Sequence, residues 1–350
     1  MYKIMDLFCG IGGFSYGFEM TKKFCTILGV DKWDVALQTF KTNHKQTHVH
    51  QADIKELNSD FWNNYKNNVD IIIAGPPCQG FSMAGRRDVL DERNNLFKEV
   101  VRVVDLVQPE IVVIENVPGL LSMITPEGQY IKDAIIKSFT QIGYYIDYRV
   151  LNAADYGVPQ NRKRVIFIAS RKDNIVFPKE THGDKGLKPY VTVGEALSNI
   201  SEDHDFYLPP ANDYQEVMSG RKDIVNHEKI RHASHIVKRM EHIPQGGNWQ
   251  DIPVELGQGG GKHSNNYRRL HNDLPAITIK HVSKSMIIHP LYNRTPTIRE
   301  VARLQSFNDD FVLIGTRYDQ HQQLANAVPP LLGKAIAEAI IIMMLGDKND

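Results

Sequence analysis

A cysteine set behind two prolines is the residue of this chain best suited to covalent chemistry. Cys78 follows Asp70-Ile71-Ile72-Ile73-Ala74-Gly75-Pro76-Pro77 and precedes Gln79-Gly80-Phe81-Ser82. The prolines fix φ and remove backbone donors, so the thiol is expected on a rigid mount. Such a thiol is poorly placed for packing and well placed to act as a thiolate nucleophile. The loop beyond it, through Met83-Ala84-Gly85-Arg86-Arg87, joins small residues to two cations suited to an anionic partner. Arg162 and Arg164 alternate, which in an extended segment sends both side chains the same way. Two converging guanidiniums suggest an anion or carboxylate to be oriented; the plainer alternative is a solvated basic strand start. Near the N-terminus, Cys9-Gly10-Ile11-Gly12-Gly13 is the kind of loop that brings a ligand close to backbone ahead of a helix. A dinucleotide fingerprint would want glycine at position 15, where Ser15 stands. Asp31, about twenty residues past the loop, is spaced to bind ribose hydroxyls or to cap a helix.

The elements that must position these residues read as alternating strands and helices. Lys3-Ile4-Met5-Asp6-Leu7-Phe8 is strand-like and leads through the glycine loop into a helix from Phe14 to Met20. Thr26 to Val30 ends at Asp31, His48 to Ala52 leads to Asp53, Asp70 to Ala74 leads to Cys78, and Glu110 to Ile114 ends at Glu115. Leu96 to Val107 is helical, and Val165 to Ala169 is a further buried strand. The alternation predicts a doubly wound, mostly parallel α/β sheet. In such sheets chemistry gathers outside the carboxyl ends of the strands, where each of these polar groups falls.

Pro178, Gly183, Gly186, Pro189, Pro209 and Pro210 interrupt the rhythm, placing a domain boundary near Asn174. We expect residues 1–180 plus 312–350 to form a catalytic and cofactor-binding domain, with 181–311 a second, loop-rich one. Residues 224–242 read as a helix carrying Arg231, His235, Lys238 and His242 on one face, equally suited to solvent and to phosphate. Glycine-rich loops at 243–249 and 256–262 could carry base-edge readers. Thr297 is a plausible N-cap for a helix to Gln305, and Leu331 to Leu345 is an apolar helix expected to pack on the N-terminal sheet.

The 350-residue chain has zero formal net charge, yet residues 221–289 hold eleven Lys/Arg against six carboxylates and eight of the fourteen histidines. That local basic excess suits contact with phosphates. Three cysteines (Cys9, Cys25, Cys78) fit a reducing cytosol better than a disulfide scaffold. No metal site is expected, because no Cys or His group has zinc-site spacing. Met1-Tyr2-Lys3-Ile4 runs directly into a strand, so no leader is expected. The C-terminal apolar stretch, interrupted by Lys334 and Glu338, reads as too short to span a bilayer.

With these pieces assembled, the chain resembles a bacterial DNA (cytosine-5)-methyltransferase of the restriction-modification type. The resemblance lies in Asp6 to Phe14, Gly75-Pro76-Pro77-Cys78-Gln79, Glu115-Asn116-Val117, Gln160 to Arg164, Arg299 to Gln305 and Asn326-Ala327-Val328-Pro329, in the family's order. It leaves out about residues 180–290, where the family keeps its target-recognition domain. Three departures stand out: Lys32 and Trp33 after the ribose acid, Ala325 before Asn326, and Asn308 after Phe307.

The resemblance implies the S-adenosylmethionine-dependent methyltransferase fold, with S-adenosyl-L-methionine as cofactor. Phe8 would stack near the adenine, Asp31 would bind the ribose and Asp53 the adenine amino group. Gly10, Gly12, Gly13, Ile54, Pro77, Leu96 and Asn326 would complete the pocket. Cys78 would add to C6 of a cytosine flipped out of double-stranded DNA, Glu115 would hold a proton at N3, and Arg162 and Arg164 would orient Glu115 and the base. Gln79, Ser82, Arg86, Arg87, Arg231, Lys238 and Thr278 are the expected DNA contacts. The protein is expected to act as a cytoplasmic monomer on DNA beside a separate restriction endonuclease. Methylation of tRNA, a catalytically silent DNA-binding relative and a nicotinamide oxidoreductase are the competing readings.

Overall fold

The structure, a computed structural model, describes residues 1–77, 96–125, 128–257 and 265–346. Cys78, Gln79, Ser82, Arg86 and Arg87 therefore lie outside the described residues. The chain forms two compact units: residues 1–152, 163–179 and 332–350, and residues 153–162 and 180–331.

The first unit is built on a seven-stranded sheet in the order β3-β2-β1-β4-β5-β7-β6. Its strands are β1 (Tyr2–Leu7), β2 (Phe24–Asp31), β3 (His48–Gln51), β4 (Ile71–Ala74), β5 (Ile111–Asn116), β6 (Tyr145–Asn152) and β7 (Lys163–Ser170). β1 to β5 pair in parallel, while β7 runs antiparallel to both β5 and β6. Buried on both faces, β4 and β5 are near-continuous apolar runs, as a parallel interior strand requires. The helices are α1 (Gly13–Glu19), α2 (Asp34–Asn43), α3 (Ser59–Asn63), α4 (Leu96–Val107) and α5 (Ile131–Gln141). α4 buries Leu96, Val100, Val103, Val104 and Val107 at helical spacing, and these join Leu7, Ile72, Val112 and Phe139 in one core. The winding goes outward from β1 through β2 to β3, then restarts at β4, so β1 and β4 flank the switch point where such sheets bind ligands.

The second unit carries α6 (Val193–Leu197), α7 (Asp213–Met218), α8 (Ser234–Glu241), α9 (Val282–Ser285), α10 (Ile298–Leu304) and α11 (Arg317–Asn326). Residues 312–331, assigned from sequence to the first domain, pack here. Gln305 Nε2 donates to Leu324 O of α11, and Leu331 N–H donates to Ser306 Oγ. The chain changes units after Lys179, one residue before the expected end of the first domain at 180, but residues 153–162, expected in that domain, belong to the second unit.

The helix expected over 224–242 is shorter. Asn226 sits in the left-handed region (φ 57°) and exchanges hydrogen bonds with the Leu313 backbone in both directions, while its own carbonyl accepts from Arg299 N–H. Those tertiary bonds outweigh the amphipathic pattern, so only Ser234–Glu241 is helical and Arg231 lies in the extended segment before it. Thr297 caps α10 as expected, with a reciprocal Thr297–Glu300 capping box.

The last helix is α12 (Pro330–Gly346). From Leu332 it belongs to the first unit, where Gly333 lets it approach the Phe14 carbonyl and Gly17 of α1. Its 17 residues extend about 26 Å, short of the hydrocarbon core. Taken with α11, however, the run Arg317–Gly346 is long and apolar enough to cross a membrane by length and composition alone, contrary to the expectation from sequence. Of its most apolar window, 56% is buried inside the protein, and buried Leu332, Ile336, Ile340 and Met343 account for that apolarity as core packing.

Candidate active site

The ends of β1, β2, β4 and β5 bring polar groups together around the switch point. At β1 the chain turns sharply: Phe8 is left-handed (φ 58°), followed by Gly10 (φ 53°) and Gly12 (φ 81°). A Cβ at Gly12 would run into the His44 and Phe40 rings, so both conformation and space demand glycine there. At Gly10 a Cβ would meet nothing within 4 Å, and the loop backbone is open on that side. Gly10 N–H donates to Asp31 Oδ2 (2.9 Å) and Trp33 N–H donates to Asp31 Oδ1 (2.9 Å). The alternative of Asp31 as a helix cap is excluded, because α2 begins at Asp34 with Trp33 in the cap position. Burial pushes the Asp31 carboxyl up, against the lowering effect of the Trp33 and Gly10 bonds. Each oxygen keeps acceptor capacity for a hydroxyl.

Asp53 is half-buried. Lys55 N–H donates to its Oδ1 (3.1 Å), and Lys32 Nζ lies 3.9 Å from its Oδ2. Lys32, a departure from the family pattern, thus faces the second acid. Ile54 is buried beside it, and Leu96 is buried in the main core. The open loop, an acid at each of two adjacent strand ends and apolar Phe8 and Ile54 fit a nucleoside whose hydroxyls and amino group need acceptors.

β4 and β5 pair in register through Ala74↔Ile114, which sets Gly75 beside Glu115. A Cβ at Gly75 would stand 3.8 Å from Glu115 Oε2, so the carboxyl faces the backbone that leads through Pro76 and Pro77. Arg164 Nε lies 2.6 Å from Glu115 Oε1, with both side chains largely buried. Asn116 Nδ2 donates to Pro76 O (3.2 Å), tying the β5 end to the proline mount. Gly75 N–H donates to Leu7 O (3.2 Å) on the other side.

In the second unit, Arg162 donates to the carbonyls of Ala325 (2.8 Å) and Ala327 (3.0 Å). The two arginines therefore do different work. β7 starts at Lys163, so Arg162 precedes the regular strand that the alternation argument needs. Thr278 Oγ1 donates to Asn161 O (2.6 Å), and Asn326 Oδ1 accepts from Gln322 Nε2 (2.9 Å) at the exposed end of α11. Arg231 and Lys238 are exposed. Among the described residues no cluster of three or more metal-ligating side chains occurs.

The family model for C-5 cytosine-specific DNA methylases matches residues 2–342. The chain belongs to that family. It is a DNA (cytosine-5) methyltransferase. It is 39% identical to the Type II methyltransferase M.DdeI of Desulfomicrobium norvegicum, over 99% of this chain and 91% of that one. It is 40% identical to the Type II methyltransferase M1.HphI of Haemophilus parahaemolyticus, over 97% and 86%. A solved prophage-encoded chain from E. coli, described as a DNA modification methyltransferase, superposes with a TM-score of 0.81 at 25% identity, covering 99% of this chain and 100% of that one.

Two features of the methylase were missed in sequence. Asp6 is buried and accepts from Ser15 Oγ (2.5 Å), and burial, with Asp31 and Glu19 adding like charge, pushes its carboxyl up to about 8. Two of the eleven basic residues over 221–289 are structural: buried Arg269 donates to the carbonyls of Met240, Ile243, His289 and Tyr292, and Arg239 to that of Leu256. No local pattern in the sequence distinguishes such arginines from solvated ones.

Proposed function

We propose that the methylase transfers a methyl group to C5 of a cytosine flipped out of double-stranded DNA, through a covalent Cys78–C6 bond. The observation that carries this reading is the Glu115 carboxyl, held by Arg164 over the Gly75 backbone that runs through two prolines into Cys78. C5 of cytosine is a weak nucleophile, so the ring must be activated. The Cys78 thiolate adds its electron pair to C6, and Glu115 donates its proton to N3 as the ring's electrons move. C5, now nucleophilic, would bond to the methyl carbon of a bound donor as the carbon–sulfur bond breaks, the electron pair staying on sulfur so that a neutral thioether leaves. The C5 proton then leaves to a base, the Sγ–C6 bond breaks, and Glu115 takes the N3 proton back. Arg164 orients Glu115 throughout, its Nε on one carboxyl oxygen while Nη1 donates to the Lys163 carbonyl.

S-adenosyl-L-methionine, when bound, supplies the methyl group. Gly10, Gly12, Gly13 and Asp31 would hold its ribose and chain, with Asp53 and Ile54 at the adenine and Phe8 against the ring. Pro77, Leu96 and Asn326 enter this proposal by motif position. Flipping costs a few kcal/mol, which contacts from Gln79, Ser82, Arg86, Arg87 and Thr278, and phosphate contacts from Arg231 and Lys238, would offset. The target-recognition region is proposed over 181–311.

The Type II names of the relatives support protection of host DNA from a separate restriction endonuclease. That the methylase acts in the cytoplasm as a monomer on DNA is part of the same proposal. The test is expression in a methylation-free bacterial host, followed by bisulfite sequencing. Protection of cytosines at one recurring short sequence is expected. Unmodified DNA, with tritiated methyl found in tRNA, would refute the choice of substrate.

A further inference from the structure

The segment Gln160-Asn161-Arg162 holds two different pieces of the second unit. On its backbone side, Asn161 N–H donates to Ala276 O (2.8 Å), Ala276 N–H donates to Pro159 O (2.9 Å), and Asn161 O accepts from Thr278 Oγ1 (2.6 Å). The residues 276–279 are thereby fixed to it. On its side-chain side, the Arg162 guanidinium, 1% exposed, donates to Ala325 O and Ala327 O. These two carbonyls bracket Asn326. They fall at the C-terminus of α11, where carbonyls lack helical partners and the helix dipole favours a cation. Ala327 is itself buried, so its carbonyl would be costly to leave unsatisfied. The guanidinium is thus the C-terminal cap of α11.

We infer that Arg162 is a positioning residue for cofactor binding: it fixes the Asn326 turn, and it does so from the same short segment that carries Thr278. This rests on the proposed cofactor role of Asn326. Both bonds leave a single nitrogen, Nη2, which stands one bond farther from the backbone than a lysine Nζ, so a lysine ammonium falls short of the two carbonyls. Arg162 and Arg164, two residues apart, therefore divide the labour, one setting the cofactor turn and the other setting the acid.

The experiment uses the full-length chain in three variants, Arg162→Lys, Asn326→Ala and the double variant. S-adenosylhomocysteine is titrated by calorimetry, and methyl transfer to unmethylated phage DNA is followed at varied S-adenosylmethionine. Arg162→Lys and Asn326→Ala should each raise the cofactor Kd and KM about tenfold, about 1.4 kcal/mol, with a much smaller change in kcat. The double variant should stay within about twofold of the weaker single variant, because both substitutions disable one turn. A kcat loss in Arg162→Lys with unchanged KM, or fully additive effects, would overturn the inference. Should Arg162→Lys prove unstable, Asn326→Ala alters only an exposed side chain, and an unchanged KM there overturns it equally. If the wild-type chain fails to bind S-adenosylhomocysteine, the cofactor reading itself is wrong.

Discussion

Replacing Asp6 by asparagine should change how the stability of this methylase depends on pH. Asp6 is buried near the end of β1, and Asp31 and Glu19 add like charge to it. Burial raises its carboxyl from 3.8 to about 8, so the folded chain keeps a proton that the unfolded chain releases. Where the folded state binds more protons, stability falls as pH rises. The contribution of the protonated acid is therefore complete below about pH 4 and is lost progressively up to about pH 8. At about 1.4 kcal/mol per unit, the loss reaches about 4 kcal/mol by pH 7. The amide oxygen introduced by Asp6→Asn would accept the same Ser15 hydroxyl, and an amide cannot titrate. Urea unfolding of wild type and Asp6→Asn at pH 5, 6, 7 and 8 measures the difference directly. The variant should gain on wild type at each step, by about 1.4 kcal/mol per pH unit up to pH 7 and by less from 7 to 8. Two parallel curves from pH 5 to 8 would refute the assignment of a buried neutral acid.

Further consequences are as concrete. Arg294 lies between Glu300 (2.8 Å) and Glu202 (2.7 Å), and Arg294→Met would leave Glu300 a buried carboxyl without its partner. A loss of about 3–5 kcal/mol in unfolding free energy is expected. In wild type this network holds the Glu300 carboxyl down at about 2, so its stabilisation is present above 4.5 and lost as pH falls towards 2; with only His289 and the Thr297 N–H left to lower it, the variant's acid transition should move to higher pH. Glu115→Gln keeps an acceptor for Arg164 but has no proton to give N3, and single-turnover methyl transfer should slow at least about 100-fold. Retention of more than a tenth of the wild-type rate would exclude Glu115 as the acid.

The strand ends were legible because an interior parallel strand has to be an unbroken apolar run, so Ile71–Ala74 and Ile111–Ile114 announce where Cys78 and Glu115 follow. Asp31 was legible for the same reason, and the Trp33 bond together with the start of α2 at Asp34 removes its helix-cap alternative. Arg162 was misread because side-chain alternation was applied one residue before β7 begins. The 224–242 pattern failed at Asn226, whose left-handed backbone is fixed by partners at Leu313 and Arg299, far along the chain. Asp6, Arg269 and Arg294 share that limit. Whether a charged residue is buried depends on distant carbonyls and carboxylates, and local spacing carries no trace of them.

The covalent step is tested most directly with amplified DNA in which 5-fluoro-2′-deoxycytidine replaces every deoxycytidine, so that no target sequence need be known. Fluorine cannot leave C5 as a proton does, and the Sγ–C6 bond should persist once the methyl group is transferred. Incubation with S-adenosylmethionine should give a denaturation-resistant protein–DNA adduct, with the nucleotide mapped to Cys78 by mass spectrometry and no adduct from Cys78→Ser. Active wild-type enzyme that forms no adduct, or an adduct retained in Cys78→Ser, would contradict the mechanism.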